Sequence, residues 1–159
     1  MVKLIILTSA HNAEKYIKEY LKSAVSQSFK EFEIAIELVK PSSNEIKIFK
    51  KAENRYPFIN LNIYEEKISL PKAWNEAIKR TQSELICIWN IDDIRTRESL
   101  RKMVEIFDNN NEVDFVYGNY TVSKKFKHRK GNYINESGRE DELKKAMILG
   151  PFFMFRRRI

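Results

Sequence analysis

Residues 83–100, SELICIWNIDDIRTRESL, decide the fold prediction because an apolar run leads directly into two adjacent carboxylates. The apolar run predicts a buried strand over residues 85–90. Asp92 and Asp93 follow it, and from Thr96 the apolar residues recur at helical spacing. Buried strands more often end in a turn of Gly, Asn or Ser. Two carboxylates in this place therefore indicate a functional site.

The composition is that of one globular domain covering residues 1–159. The chain is 43% hydrophobic, with only four Gly and four Pro, and no apolar run is long enough to cross a bilayer. No cleavage site of the secretory type follows the first residues. The single cysteine, Cys87, lies in an apolar run and cannot form an internal disulfide, which predicts a cytoplasmic protein.

The net charge of +7 is concentrated in clusters. No acidic residue lies between Asp114 and Glu136, and the C-terminal segment contains three consecutive arginines. Such clusters can bind phosphates, nucleic acid or an anionic membrane surface, and the alternative is a solvated basic loop. Membrane-peripheral attachment is therefore compatible with the sequence. The basic residues concerned are Lys124, Lys125, Lys127, Arg129, Lys130, Arg156, Arg157 and Arg158.

Strand and helix patterns alternate four times along the chain. Asn12 and Ser69 are predicted to cap helices, and Pro71 suits a first helical turn. The alternation predicts an α/β fold, a mostly parallel central sheet with right-handed crossovers and helices on both faces. Ligands of such sheets lie beyond the carboxyl ends of the strands. The predicted strands are residues 2–8, 32–39, 59–64, 85–90, 113–122 and 152–155, and the predicted helices follow Asn12, lead from the turn at 41–44 to Tyr56, and begin at Ser69, Thr96 and Asp141.

The two carboxylates lie where that rule places a ligand. If the backbone stays extended, Asn90 and Asp92 point to one side of the sheet and Asp93 to the other. Hard oxygen ligands on a short segment suit Mg²⁺ or Mn²⁺, which leave positions open for the oxygens of a phosphate. Asp93 could contact a hydroxyl or orient the turn. The alternative is a metal-free helix-entry turn whose carboxylates pair with Arg95 or Arg97.

In the order of its segments the sequence resembles the inverting nucleotide-sugar glycosyltransferases of family 2, which have the Rossmann-like GT-A fold. Each segment is weak evidence alone, but together they cover almost the entire chain in the family's order. The matching segments are residues 9–12, Tyr16 with Leu21 and 27–29, 73–75 with Ala77, 90–93 with Leu100, and 150–157.

The resemblance implies a role for each residue of the Asn90-Ile91-Asp92-Asp93 segment. Asp92 would ligate the Mn²⁺ or Mg²⁺ that bridges the diphosphate of the donor. Asn90 stands where the family usually has an Asp near the ribose and the metal. Asp93 would lie against the sugar or the acceptor.

The resemblance also implies further donor contacts. The loop from Ser9 to Asn12 would form a wall of the nucleotide pocket with His11 near the base, and Asn75 would face the donor from its helix. The alternatives are a surface loop histidine and the polar face of an amphipathic helix. The family's second strand usually ends in Asp-Asp-Gly-Ser; no Asp is present here, and Glu37 could replace it only if the backbone shifted, which leaves the base specificity open.

The implied function is metal-dependent transfer of a sugar from a nucleotide-sugar donor to an acceptor hydroxyl, with inversion. The acceptor could be a saccharide, a lipid-linked molecule or a protein. Residues 1–93 would be the nucleotide-sugar-binding half and residues 94–159 the start of the acceptor-side half.

The family's catalytic base follows the segment that corresponds to residues 150–157, and the chain stops at Ile159. The base is therefore unassigned, and the chain is either a fragment or a compact variant. A catalytically silent binding domain is one alternative function. A nucleic-acid-binding module that uses Phe126 and Tyr133 with the basic cluster is a weaker one, because it leaves the carboxylates without a role. Pairing of two chains is left open.

Overall fold

The computed structural model describes residues 2–124, 126, 131–135, 141 and 150–159. Strands and helices alternate through its first two thirds, as the sequence predicts. In chain order the elements are β1 Leu4–Ala10, α1 Glu14–Val25, β2 Phe32–Val39, α2 Ser43–Arg55, β3 Ile59–Tyr64, α3 Leu70–Arg80, β4 Leu85–Ile88, α4 Ser99–Asn109, β5 Phe115–Tyr117, β6 Tyr120–Val122, β7 Asn132–Ile134 and β8 Phe153–Arg156.

The main sheet has six strands in the order β3-β2-β1-β4-β8-β5. Strands β3, β2, β1 and β4 are parallel, and β8 runs antiparallel to both of its neighbours, β4 and β5. This arrangement confirms the predicted mostly parallel α/β sheet. Because β4 lies between β1 and β8, the strand that precedes Asp92 is central, and its carboxyl end is flanked by other strands.

Side chains alternate between the two faces of the sheet, and each face has its own apolar core. Helices α1, α2 and α4 cover one face, where Tyr20, Phe49, Trp89 and Phe107 are fully buried. Helix α3 packs on the opposite face through Ala73 and Ala77, with Trp74 and Ile78 beside them. Small residues at the contact allow α3 to lie close to β1.

The starts of α2 and α3 follow from local capping chemistry. Ser42 accepts a hydrogen bond from Glu45 N at 3.1 Å while Glu45 Oε2 accepts one from Ser42 N at 2.8 Å, which is a capping box. Ser69 accepts from Lys72 N at the start of α3, as predicted, with Pro71 in the first turn.

The prediction that Asn12 caps α1 is wrong. The N-cap residue is Ala13, which has no side-chain cap, and Asn12 has a φ of +51°. Asparagine is one of the few residues that enter this left-handed region at low cost. The loop therefore uses Asn12 to reverse the chain one residue before the helix cap.

The prediction of one continuous strand over residues 113–122 is also wrong, because the structure has two short strands there. β5 joins the main sheet, while β6 pairs with β7 in a separate two-stranded sheet. The break falls at Gly118, where a Cβ atom would lie 2.5 Å from the ring of Phe152, so only glycine fits. The helix predicted from Asp141 lies outside the described residues apart from Asp141 itself.

The three C-terminal arginines are part of the fold. Arg156 donates to the carbonyls of Phe107 and Val113, Arg157 to those of Ser83 and Ile78, and Arg158 to that of Asn111. These bonds take up carbonyls at and beyond the ends of α3 and α4. The guanidinium groups are thereby engaged within the chain, and those of Arg156 and Arg158 also pair with Glu84 and Asp114.

The second basic cluster falls mostly outside the described residues. Of its members the structure describes Lys124, together with Phe126, whose ring packs edge-on against Tyr16 with a centroid distance of 4.9 Å. An aromatic ring engaged in this way is a poor platform for a nucleic-acid base. No helix in the described residues has both the length and the apolar character needed to cross a bilayer.

Candidate functional site

The turn that follows β4 is held by hydrogen bonds to buried side chains. Thr8 Oγ1 donates to Trp89 O at 2.8 Å and lies 2.5 Å from the hydroxyl of Tyr20. The indole Nε1 of Trp89 donates to Asp93 O at 3.1 Å. Thr8, Tyr20 and Trp89 are all buried. The backbone that carries the carboxylates is therefore fixed from inside the core.

Asn90 and Asp93 close this turn on themselves. Asp93 N donates to Asn90 O at 3.1 Å, and Asn90 Nδ2 donates to Asp93 Oδ2 at 3.1 Å. The expectation of an extended backbone, with Asn90 and Asp92 on one side of the sheet, is therefore wrong, since β4 ends at Ile88. With its Nδ2 given to Asp93, the oxygen Oδ1 is the atom of Asn90 that could face a cation.

The two adjacent carboxylates lie in different environments. Asp92 is exposed, whereas Asp93 is partly buried. Burial, and next the charge of Asp92, raise the pKa of Asp93 to about 6, against the opposing effects of Arg95 and Asn90. One carboxylate is therefore open to a cation in solvent, and the other binds a proton much more readily than an ordinary Asp.

Asp93→Asn should make the protein more stable at neutral pH. A carboxyl whose pKa is higher in the folded state than in the unfolded state costs stability as pH rises, here from about pH 4 to about pH 6. We expect a gain of about 1–3 kcal/mol at pH 7 that disappears near pH 3. Urea unfolding of the variant and the wild type across this range measures it. Glu112→Gln, at an exposed site, is the control, and a gain that does not change with pH would contradict the prediction.

The loop between β1 and α1 lies at the same edge of the sheet. His11 Nδ1 lies 2.8 Å from Val39 O, and because a carbonyl can only accept, Nδ1 carries the proton. His11 Nε2 then accepts from Asn12 Nδ2 at 3.2 Å. His11 and Asn12 are exposed. The loop is thus tied to the end of β2 and presents two polar side chains to solvent.

A cleft of about 320 Å³ adjoins this loop, lined by Asn12, Glu14, Lys15, Ser42 and Glu45. The buried Glu45 accepts from Ala13 N at 2.6 Å as well as from Ser42 N. Glu14 accepts from Ser42 Oγ at 2.6 Å. These carboxylates join the starts of α1 and α2, and they take N–H groups that an anion would otherwise find there.

Ser9 and Glu37 lie below the edge rather than on it. They face each other in register on β1 and β2, on the side covered by α3. Both oxygens of Glu37 are engaged: Oε1 accepts from Arg80, and Oε2 accepts from Asn62 at 3.1 Å and from the Tyr64 hydroxyl at 2.7 Å. Ser9 Oγ is buried with no hydrogen-bond partner in the part of the chain that the structure describes.

Asn75 is exposed on α3, which begins six residues after the carboxyl end of β3. The structure therefore places four segments at one edge: the His11–Asn12 loop, the end of β2, the start of α3 and the Asn90–Asp93 turn. Ser9 and Glu37 are one layer below this edge.

The sequence analysis did not predict how two residues support this edge. Glu45 could have been found, because Ser42-Ser43-Asn44-Glu45 has the capping-box spacing. Arg95 was considered only as an ion-pair partner of the two carboxylates, whereas its guanidinium packs on Trp89 and donates to Ile88 O. Its burial had no sequence signal, since an arginine in a charged segment is expected to be exposed.

The donor atoms at the turn suit one kind of metal site. Among the described residues no three His, Cys, Asp or Glu side chains cluster as a closed metal cage would require. Mg²⁺ and Mn²⁺ are commonly held by one or two carboxylates together with substrate phosphates. The exposed carboxylate of Asp92, with Asn90 Oδ1 nearby in the same turn, fits that pattern.

Comparison with known proteins gives the family. Residues 5–159 match the family model described as glycosyl transferase family 2. The chain belongs to this family. The match covers nearly the whole chain, and it agrees with the sequence resemblance.

Two curated relatives are each 26% identical to the chain. One is an uncharacterized glycosyltransferase of Methanocaldococcus jannaschii, matched over 79% of this chain and 46% of its own length. The other is the poly(ribitol-phosphate) beta-N-acetylglucosaminyltransferase TarS of Staphylococcus aureus, matched over 68% of this chain and 19% of its own. The chain spans less than half the length of these relatives.

Solved structures show the same fold. S. aureus TarS 1–349 in complex with UDP has a TM-score of 0.70 and 21% identity over 97% of this chain and 46% of that one. The mannosyltransferase PcManGT from Pyrobaculum calidifontis, in complex with GDP-Man and Mn²⁺, has a TM-score of 0.74 and 14% identity over 99% of this chain and 45% of that one. The GT-A prediction for this family 2 chain is confirmed.

Proposed function

We propose that this chain is the nucleotide-sugar-binding part of a metal-dependent, inverting glycosyltransferase. The observation that carries the proposal is the position of Asp92 and Asp93 in a fixed turn at the carboxyl end of the central strand β4. Residues 1–93 would bind the donor, and residues 94–159 would begin the acceptor side.

Each residue at the edge has a proposed role. Asp92 and Asn90 Oδ1 would hold Mn²⁺ or Mg²⁺, which when bound supplies Lewis-acid stabilisation of the charge on the diphosphate. His11 and Asn12 would contact the nucleoside, and Asn75 would face the donor from α3.

Ser9 and Glu37 would contribute from the layer below. Glu37 anchors Tyr64, the last residue of β3, through the hydrogen bond to its hydroxyl. Glu37 could therefore shape the floor of the donor pocket even though its oxygens are already engaged.

The reaction would be a direct displacement at the anomeric carbon. An acceptor hydroxyl loses its proton, its oxygen forms the new bond, and the nucleoside diphosphate leaves from the opposite side, which inverts the configuration. Asp93 is partly buried beside the exposed Asp92 and would bind a hydroxyl of the sugar or the acceptor. We assign the catalytic base to none of the described residues.

Nucleotide titration tests the proposal. UDP, GDP, ADP, CDP and dTDP are titrated into the protein by calorimetry, with Mn²⁺ and with EDTA. We expect at least one diphosphate to bind about tenfold or more tightly with Mn²⁺, which is about 1.4 kcal/mol. The matching nucleoside is the control, because without a diphosphate it should gain nothing from the metal.

The outcomes separate the candidate functions. Failure of every diphosphate to bind would overturn the donor site. Metal-dependent binding without any hydrolysis or transfer of the corresponding nucleotide sugar would favour a catalytically silent binding domain. Three further points stay predictions. They are the class of acceptor, the formation of a homodimer, and docking on an anionic membrane through the basic cluster from Lys124 to Lys130.

A further inference from the structure

Arg95 is a buried cation directly behind the Asn90–Asp93 turn. Only 9% of the surface of Arg95 is exposed. The guanidinium carbon lies 4.6 Å from the ring centroid of Trp89 and 4.6 Å from that of Phe152, so the group packs against two aromatic rings. Guanidinium groups stack well in such positions because they are planar and weakly hydrated.

The hydrogen bonds of Arg95 join the two chain segments that meet behind the turn. Nη2 donates to Ile88 O at 2.6 Å and to Pro151 O at 3.2 Å, and Nη1 donates to Cys87 Sγ at 2.9 Å. Ile88 is the last residue of β4, and Pro151 lies two residues before β8. The end of β4 is therefore fixed to the segment that leads into the neighbouring strand.

Arg95 is also fixed through its backbone. Arg95 N donates to Ser23 Oγ and Arg95 O accepts from it, both at 3.0 Å, which attaches the residue to α1. Both ends of the turn are thus held in place. Trp89, at one end, is held by Thr8 and by the Arg95 guanidinium, and the backbone of Arg95, at the other end, is held by Ser23.

The acceptors of this guanidinium in the described residues are uncharged. Burial of a positive charge without a carboxylate partner is unfavourable, so a residue with this environment needs a compensating role. Support of the turn is such a role, since the guanidinium donates to Ile88 O at the end of β4 and packs on the ring of Trp89.

We propose that Arg95 is a positioning residue for donor binding: it holds the Trp89–Asp93 turn in the geometry that presents Asp92. This inference rests on the proposed function.

A matched pair of variants tests the proposal. Arg95→Met keeps an unbranched apolar side chain between the rings and removes the charge and the fork of donors. Arg156→Met removes the guanidinium of a second buried arginine, which is 8% exposed, lies 5.2 Å from the Phe107 ring and also donates to carbonyls. Unlike Arg95, Arg156 also pairs with a carboxylate, that of the exposed Glu84. In the sheet, Arg156 of β8 lies opposite Leu85, which is at the other end of β4 from the turn.

Both variants should unfold at lower temperature than the wild type. Only Arg95→Met should weaken binding of the nucleoside diphosphate that the wild type binds in the presence of Mn²⁺, by about 10-fold or more, as for other residues that support a metal ligand. Arg95→Lys restores the charge but not the planar fork, and it should recover part of the affinity. It also provides a folded variant if Arg95→Met does not fold.

The results distinguish this inference from the function on which it rests. If the wild type binds none of the five nucleoside diphosphates, the donor site and the role of Arg95 fall together. If the wild type binds but Arg95→Met binds equally well, or Arg156→Met loses as much affinity, then Arg95 serves stability alone and only this proposal is overturned. Equal loss in Arg95→Met and Arg95→Lys would support the planar fork of donors, rather than the charge, as the group that holds the turn.

Discussion

Asp92→Asn is expected to abolish the Mn²⁺-dependent part of nucleotide binding and to lower sugar transfer at least about 100-fold. Loss of a metal-bound carboxylate removes several kcal/mol of charge stabilisation, and each 1.36 kcal/mol corresponds to about a factor of ten in rate. The substitution keeps the shape of the side chain. Since Asp92 is exposed, the fold should be unaffected.

The measurement compares nucleoside diphosphate affinity with Mn²⁺ and with EDTA, and hydrolysis of the nucleotide sugar that binds. Asp108→Asn is the matched control. Asp108 is an exposed aspartate that pairs with Lys3, next to the amino end of β1, so its loss changes the net charge equally at the opposite edge of the sheet. If Asp92→Asn retains full metal dependence, the proposed metal site is wrong.

Trp89→Ala should strongly destabilise the protein. The side chain is fully buried, its ring meets Tyr20 edge-on at 5.5 Å, and it supports the Arg95 guanidinium. Truncation of such a residue costs about 3–5 kcal/mol. Since single domains are stable by only about 5–15 kcal/mol, this is a large fraction of the total free energy of unfolding.

Trp74→Ala provides the control for this second variant. Trp74 is a partly buried residue of α3, and its Nε1 has no hydrogen-bond partner within the described residues. Its loss should cost about 1–2 kcal/mol, because less apolar area leaves solvent on folding. Denaturant unfolding of the two variants without ligand measures both losses of unfolding free energy. Equal losses would show that Trp89 contributes no more to stability than a partly buried tryptophan does.

Periodicity sufficed for the strands that are buried on one or both faces. The predicted bounds of β2 and β3 agree with the structure because turn residues flank both segments, and the position of Asp92 and Asp93 at the end of a central strand followed from the alternation of strands and helices. The start of α3 was predictable because Ser69 and Pro71 have strong positional preferences.

The errors arise where long-range contacts decide. Asn12 has the composition of a cap, but the Ala13 N–H group is satisfied by Glu45, a residue 32 positions away. The division of residues 113–122 depends on the ring of Phe152 against Gly118. The burial of Arg95 depends on two rings and two carbonyls from separate segments. None of these contacts has a local sequence pattern.

The position of β8 has a consequence for synthesis of the protein. β8 follows all other strands of the main sheet in the chain, yet it is inserted between β4 and β5. The ribosome releases the segment of β4 roughly 70 residues before its partner in β8. During that interval one side of β4 has unpaired N–H and C=O groups, the kind of open edge on which nascent chains associate with one another. The first four strands can pair with one another as soon as they are made, but β4 waits for β8. Translation pauses, or chaperones that protect this edge, should therefore influence the yield of native protein.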